Sequence, residues 1–328
     1  METPLRIATF NLENFDDDPK KPSSLATRIN VMRPQLLRLR ADVLCLQEVN
    51  SQKDESGKRS LAALALLIAD TPYADFNIAA TKIQGGGYYD ARNLIILSKF
   101  PITSQECIMN KFVSKPQYMI LTSIPPETAA DDITWERPLL YVVLDLGNNR
   151  KLHVINAHLK SKIPVSIKGQ YIDKDYCWKT ASGWAEGYFL SSMKRVGQAL
   201  EIRRLIDDIF DKNEMPAIAV CGDFNSDDND VPVNAIRGRI EETQNPDLRG
   251  RVMLPCEFSV PDQSRFSLLY LGERQMIDHI IVSRPLLAYY RSTWIHNEEL
   301  PDETIAFHTD VLYPESDHAP VVAEFVMD

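Results

Sequence analysis

Seven short polar clusters, each closing an apolar run, constrain this chain more than any other feature. They are Asn11-Leu12-Glu13, Gln47-Glu48, Arg92-Asn93, Asn156-Ala157-His158, Gly222-Asp223-Phe224-Asn225, Ile277-Asp278-His279 and Ser316-Asp317-His318. The runs before them, or after them, are short and rich in Val, Ile and Leu, and so read as strands: Leu5 to Asn11, Val43 to Glu48, Leu94 to Ser98, Leu139 to Leu146, Leu152 to Asn156, Ala217 to Cys221, Ile277 to Ser283 and Val321 to Val326.

Between the strands, Leu25, Ile29, Met32, Leu36 and Leu39 recur at helical spacing, as do Leu61, Leu64 and Ile68, and then Val196, Ala199, Leu200, Ile206, Ile209 and Phe210. Helices interleaved with strands over the whole length give an α/β class with sheet layers covered outside by helices. Candidate residues in both halves argue for one domain over 1–328. Segments Cys107 to Arg137 and 163–192 lack periodicity and are expected to be long loops, the second a long insertion.

Composition narrows the partners. At 328 residues the chain is 44% hydrophobic and 25% charged, ordinary for a water-exposed fold. A formal net charge of −10 opposes nonspecific coating of duplex DNA, which depends on phosphate neutralisation, but leaves room for a nuclease with local basic residues and a metal. No stretch approaches the ~18 uninterrupted apolar residues of a membrane span, so no membrane partner is expected. No basic-then-apolar leader precedes Ile7, and the five cysteines (Cys45, Cys107, Cys177, Cys221, Cys256) form no paired pattern. They read as reduced thiols, Cys45 and Cys221 buried, and the expected location is cytoplasmic.

The clusters hold carboxylates, carboxamides and imidazoles, the groups that hydrolysis of a phosphodiester requires. The reaction needs a cation against developing charge, an activated water and donors around the phosphoryl oxygens. Magnesium takes oxygen ligands, and Asn11, Glu13, Glu48, Asp223, Asn225 and Asp317 offer them. If the strands continue through them, period two places Asn11 with Glu13, and Asp223 with Asn225, on common faces. His158 and His318 are the candidate proton or charge partners, each able to be held cationic by a carboxylate, and Asp278 is the candidate to orient His318.

The ordered series Ile-Ala-Thr-Phe-Asn-Leu-Glu-Asn, Leu-Gln-Glu-Val, Arg-Asn-Leu-Ile-Ile-Leu-Ser-Lys-Phe-Pro-Ile, Asn-Ala-His-Leu-Lys-Ser-Lys, Gly-Asp-Phe-Asn-Ser-Asp, Ile-Asp-His-Ile-Ile-Val-Ser and Ser-Asp-His-Ala-Pro-Val resembles the endonuclease/exonuclease/phosphatase superfamily, DNase I-like proteins among them. The resemblance spans nearly the whole chain. It implies a four-layer α/β sandwich, two central and mostly antiparallel β-sheets flanked by helices, with the site at one edge. It further implies Mg²⁺-dependent phosphodiester hydrolysis, with Mn²⁺ able to substitute, by in-line attack of water. Glu48 would be the main metal ligand, with Asn11, Glu13 and Asp317 beside it. Asp223 would activate or orient water, Asn225 would bind a phosphoryl oxygen, and Asp278 with His318 would form a dyad. His158 matches the histidine of DNase I-like and lipid-directed members. The chain departs from the family pattern at Tyr88-Tyr89-Asp90, where no partner carboxylate for His158 aligns, and Asp90 is the candidate there. Lys160 and Lys162 would contact substrate phosphates, while Arg92, Asn93 and Arg137 either frame the site rim or fill ordinary surface and turn roles. The expected activity is a nuclease, most simply an endonuclease on a nucleic acid. The alternatives are hydrolysis of an inositol phosphate, a phospholipid head group or another small phosphoester, and a scaffold that has lost the chemistry.

Plainer roles are expected elsewhere. His279, next to Asp278 on a strand, points to the opposite face and into packing. His153, His296 and His308 belong to no motif. The interleaved basic and aromatic residues of the insertion, Lys168, Tyr171, Lys174, Tyr176, Trp178, Lys179, Trp184, Tyr188, Phe189, Lys194 and Arg195, either stack on a single strand or form a local core, the latter being commoner. The acidic run Ser226 to Val231 lacks a calcium-loop pattern and reads as a solvated turn.

Overall fold

The structure, a computed structural model, describes residues 3–20, 23–172, 177–302 and 313–327. Two six-stranded sheets carry it. The first orders β17 (Tyr290–Ile295), β18 (Val321–Met327), β1 (Thr3–Phe15), β2 (Val43–Val49), β6 (Asn93–Ser98) and β5 (Asn77–Ala80). The second orders β13 (Met253–Pro255), β16 (Asp278–Ser283), β12 (Ala217–Asp223), β11 (Lys151–His158), β10 (Leu139–Asp145) and β7 (Ile102–Ile108). Small hairpins, β3 (Gln52–Lys53) with β4 (Arg59–Ser60), β8 (Gln117–Tyr118) with β9 (Asp131–Asp132) and β14 (Leu268–Tyr270) with β15 (Glu273–Gln275), decorate the rim.

Each large sheet pairs its strands antiparallel except at one place. β1 runs parallel to β2, and β11 parallel to β12. A parallel neighbour cannot be reached by a tight turn, so each pair is joined by a helical crossover: α1 (Leu25–Leu39) in the first and α3 (Ala181–Lys212) in the second. The carboxyl ends of these two pairs open at one edge, and there the polar clusters collect.

Alternation along the strands builds the layers. Ile7, Val43, Cys45, Val154, Cys221 and Ile280 point between the sheets into one core. Ala8, Phe10, Leu44 and Leu46 point outward under Met32 and Leu36 of α1 and Leu64 of α2 (Ala62–Ile68). Ile155, Ile218, Val220 and Ile281 face Ile202, Leu205 and Ile206 of α3. The result is helix, sheet, sheet, helix, and truncating a fully buried leucine such as Leu46 to Ala costs ~2–5 kcal/mol.

The expected strands are all present, with ends shifted by up to a few residues. The large-sheet strands that periodicity missed, β5, β7, β13 and β17, are the four sheet edges: partly exposed faces dilute the apolar signal of β5, β7 and β17, and β13 is only three residues long. The irregular reading of 163–192 fails from Ala181 onward, where α3 begins. Three glycines obscure that helix in the sequence, and they are required by packing. A Cβ at Gly187 would lie 2.6 Å from the Val165 carbonyl oxygen, and one at Gly197 would lie 2.2 Å from the Trp135 ring. Segment 107–137 is irregular apart from short pieces, but α3 pins it. Buried Glu201 accepts from the backbone N–H groups of Asn110, Lys111 and Phe112 and from Trp135 Nε1. Cys256 is buried along with Cys45 and Cys221, and all five thiols are free. Among the described residues, no helix is long and apolar enough to cross a membrane.

Candidate active site

Asn11 and Glu13 come from the end of β1, Glu48 from β2, His158 from β11, and Asp223 from β12 with Asn225 just beyond it. Register aligns Asn11 with Gln47, His158 with Asp223, and Asp223 with Asp278. Extended alternation is not what gathers them. Glu13, Asn14, Glu48 and Asn225 all have left-handed backbones, with φ of 47°, 49°, 58° and 49°. That conformation costs a side-chain-bearing residue ~1–2 kcal/mol, less for Asn, and its clustering at one edge marks where the fold bends its strands inward. Side-chain bonds hold the bends: Asn11 Oδ1 accepts from Glu13 N at 2.9 Å, Glu48 Oε2 from Asn14 N at 2.9 Å, and Asp223 Oδ1 from Asn225 N at 2.8 Å. Gly222 (φ 139°) precedes Asp223 because a Cβ there would sit 1.9 Å from the Ala157 carbonyl oxygen.

Asp223 is the hub of one half of the site. Its Oδ2 accepts from Asn11 Nδ2 at 3.0 Å and Asn225 Nδ2 at 3.2 Å, and lies 3.2 Å from His158 Nε2 and 4.0 Å from His318 Nε2. His318 Nδ1 meets Asp278 Oδ2 at 2.7 Å, and Ser267 Oγ donates to the same oxygen at 2.7 Å. Burial alone would discharge His318. The carboxylates of Asp278 and Asp317 outweigh it and hold the imidazolium well above its ordinary range. His158 behaves oppositely: burial first, then the Arg137 and His318 charges, push its pKa well below the ordinary value. The expected pair of cationic histidines is therefore one cation and one neutral ring. Burial also lifts Asp223 to about 7, against the pull of His318.

Glu13, Glu48 and Asp317 form the other half. Burial and the Asp317 charge raise Glu13 to about 7, with Arg28 opposing. Burial raises Asp317 as well, with Glu48 adding to it. Buried Asp317 Oδ1 and Asp278 Oδ1 have no hydrogen-bond partner. Crowded, desolvated carboxylates are the donor chemistry of a hard divalent cation, and the oxygens of Glu13, Glu48, Asp317 and the Asn11 carboxamide are of the type one takes. Asp223, Asp278 and His318 also converge closely. There the protonated ring already fills the space between the carboxylates, so that trio suits proton handling.

Arg28, missing from the sequence-based set, joins the first motif to the last. From α1 its buried guanidinium donates to the carbonyls of Leu12 at 2.8 Å, Glu13 at 3.0 Å and Pro314 at 3.1 Å. Ser316 Oγ completes the tie by donating to the Asn11 carbonyl at 2.7 Å. A signal existed: an arginine one position from the Leu25, Ile29, Met32 stripe is a charge on a buried helix face. Ser267 gave no comparable signal.

Several expected residues fall elsewhere. Asn93 is fully buried and uses its carboxamide on Val49 O, Tyr89 O and Tyr89 N, so it holds a turn and presents nothing to a substrate. Asp90 pairs with Arg59 at the surface and not with His158. Gln47 and Asn156 bond each other at 2.7 Å between the sheets, behind the site. Lys162 is paired with Asp227 at 3.4 Å and Asp230 at 3.1 Å, which also makes 226–231 a braced loop and not a free turn. Lys160 is mostly covered, 3.9 Å from Glu136. Arg92 stays at the rim, 3.4 Å from Asn14 Oδ1, and buried Arg137 donates to the His158 carbonyl at 3.3 Å. His279 is buried against Glu257, and His153 is stacked against Tyr141. His308, Lys174 and Tyr176 lie outside the described residues.

A mostly antiparallel double sheet with carboxylates and imidazoles gathered at its open edge defines a DNase I-like protein. The sequence profile of the Endonuclease/Exonuclease/phosphatase family matches residues 8–318, and the chain belongs to that family, whose members are phosphoester hydrolases. Solved structures share the fold. Truncated TDP2 from Caenorhabditis elegans is 17% identical with a TM-score of 0.58, over 99% of this chain and 98% of that one. An endonuclease/exonuclease/phosphatase family protein from Bacteroides thetaiotaomicron is 16% identical with a TM-score of 0.59, over 100% and 96%. D. rerio TDP2 complexed with single-strand DNA product is 16% identical with a TM-score of 0.56, over 99% and 100%. No curated protein matches the chain by sequence.

Proposed function

We propose that this protein is a Mg²⁺-dependent phosphodiesterase acting on nucleic acid, most simply as an endonuclease. The observation that carries the reading is the meeting of two unlike carboxylate groups at the ends of both parallel strand pairs: Glu13, Glu48 and Asp317 on one side, and Asp223 with the Asp278–His318 dyad on the other. The complex of the zebrafish relative with a single-strand DNA product supports nucleic acid as the substrate class. The drawing of site residues from both sheets supports one domain over 1–328, and five free thiols suit a cytoplasmic setting.

Glu48, Glu13 and Asp317, with Asn11, would hold the cation. Once bound, it would neutralise charge developing on a phosphoryl oxygen. Asp223 orients a water and takes its proton as the oxygen attacks phosphorus. Asn225, whose backbone turn is fixed by Asp223, offers its amide to a phosphoryl oxygen. His318, charged and aligned by Asp278, stabilises the five-coordinate phosphorus and can pass a proton to the leaving oxygen. Neutral His158, its Nε2 3.2 Å from Asp223 Oδ2, packs against that carboxylate.

Circular single-stranded DNA, supercoiled plasmid and a structured RNA, incubated with Mg²⁺ and with EDTA, test the reading. Metal-dependent cutting of at least one, lost in His318→Ala, is expected. Intact circles together with turnover of inositol phosphates or phospholipid head groups would overturn nucleic acid as the substrate.

A further inference from the structure

Helix α3 runs past the candidate site and carries aromatic rings that the core does not use. Part of the insertion does form a small core: Ile167, Leu190 and Ile133 are buried, with Trp178 packed beside them. Trp184 and Tyr188 stay outside it, 47% and 38% exposed. One helical turn apart, they pack ring to ring with centroids 5.2 Å apart.

Their direction relates them to the site. At about 100° per residue, Trp184, Tyr188 and Arg195 fall within about 40° of one another around the helix. Arg195 donates to the carbonyls of Lys160 and Ser161, at 3.1 and 3.0 Å, in the segment that leaves His158. From there the chain runs along α3, and Val165 N donates to the Gly187 carbonyl at 2.9 Å. The two rings thus lie along the same track that begins at the active-site strand, with Trp184 about 16 Å from Arg195 by helical rise.

Charge completes the surface. Lys168 and Lys179 are exposed at the far end of the track, and no carboxylate among the described residues pairs with either. Of the other basic residues of 160–195, Lys162 and Lys194 are paired with carboxylates from outside the segment, so Lys168 and Lys179 carry the charge this surface offers. Stacking rings next to exposed ammonium groups match a backbone of phosphates carrying unpaired bases, and duplex DNA has no free base faces to offer.

We propose that Trp184 and Tyr188 form a stacking subsite for single-stranded nucleic acid, extending the active site along α3. This rests on the nuclease reading above. The strand enters by Lys168 and Lys179, stacks on the two rings and reaches the site beside Arg195.

Equilibrium binding of a fluorescent oligothymidine to the full-length protein in EDTA, where it is not cut, tests the subsite. Trp184→Ala combined with Tyr188→Ala is expected to weaken binding roughly tenfold or more. Trp184→Phe with Tyr188→Phe keeps the stacking faces and should restore most of it. Trp294→Ala, another exposed tryptophan, on β17, is the control expected to leave binding unaltered. Thermal melts confirm that each variant is folded. Undiminished binding in the folded double alanine variant overturns the subsite, even if the protein cuts DNA. No binding by wild type overturns it too. Ring-dependent binding without cleavage of any nucleic acid leaves the subsite standing and removes the nuclease reading instead. If the double variant loses adhesion to phosphatidylserine vesicles but not to oligothymidine, the surface belongs to a membrane and the proposal fails.

Discussion

Strand β16 sets two neighbouring residues, Asp278 and His279, on opposite faces and so into two buried constellations of opposite character. On the His279 face, Nδ1 meets Glu257 at 2.6 Å, Nε2 donates to the Ser226 carbonyl at 2.8 Å, and Asp228 stands 3.9 Å away with Arg265 3.2 Å from it. Two cations face two carboxylates, both ring nitrogens are occupied, and one carboxylate oxygen, Asp228 Oδ1, is without a hydrogen-bond partner. On the Asp278 face, His318, Arg28 and Arg137 confront Glu13, Glu48, Asp223, Asp278 and Asp317, with two carboxylate oxygens unpartnered. Burial is similar in the two places; balance is not. A balanced cluster is a strut, while an unbalanced one is a receptor for positive charge.

Breaking each cluster in turn should separate chemistry from stability. Asp223→Asn is expected to lower turnover by ~10³-fold or more while leaving the melting temperature nearly unchanged in metal-free buffer, since it removes one of several crowded carboxylates. His318→Ala should lose turnover as fully but also strand buried Asp278 and lower stability. His279→Ala should do the reverse of Asp223→Asn. Stranding Glu257 in the core costs ~3–5 kcal/mol in chemical denaturation, and activity per folded molecule should survive. A His279→Ala protein as stable as wild type would erase the contrast.

Arg28→Gln sharpens the comparison, because it cuts the link between the first and last motifs without touching a reacting group. A fall in kcat of ~10-fold or more is expected, with little change in KM, and Arg28→Lys should recover only part of it, since one ammonium cannot serve three carbonyls in a fixed fork. An equal loss from Arg28→Gln in unfolding free energy and in nothing else would make it merely structural.

Charge imbalance also predicts a ligand-linked stability. Mg²⁺ at a hundredfold over its Kd should stabilise the wild type by ~2.7 kcal/mol, and Glu48→Gln should lose most of that gain. The smallest effect concerns pH. Burial opposes the charge on His279, but Glu257 dominates and raises its pKa to about 9, above the ordinary 6.5. A group with a raised folded pKa contributes stability fully present below its unfolded pKa and lost as pH rises through the folded one. Unfolding free energy should therefore decline between pH 6.5 and 9, and the decline should be weaker in His279→Gln.

Much of this was legible in the sequence. Leu25 to Leu39 spelled α1 to the residue, and the eight strong strands were legible because each holds a buried apolar run. The candidate site residues were visible because they sit where strands end. What the sequence concealed followed from long-range contacts. Gly187 and Gly197 look like helix breakers until Val165 and Trp135 are seen lying on them. Asn93 and Lys162 carry substrate-binding chemistry, yet one is consumed by a turn and the other by two aspartates. Arg28 was readable only as a misplaced charge, since its three carbonyl partners come from segments as far apart as Leu12 and Pro314.

The most direct test is calorimetric titration of Mn²⁺ into metal-free wild type, Glu48→Gln and His279→Gln. The charge-imbalance account predicts binding in the wild type, its loss in Glu48→Gln and its retention in His279→Gln. Undiminished binding in Glu48→Gln, lost instead in His279→Gln, would place the cation in the cluster behind the site and contradict it.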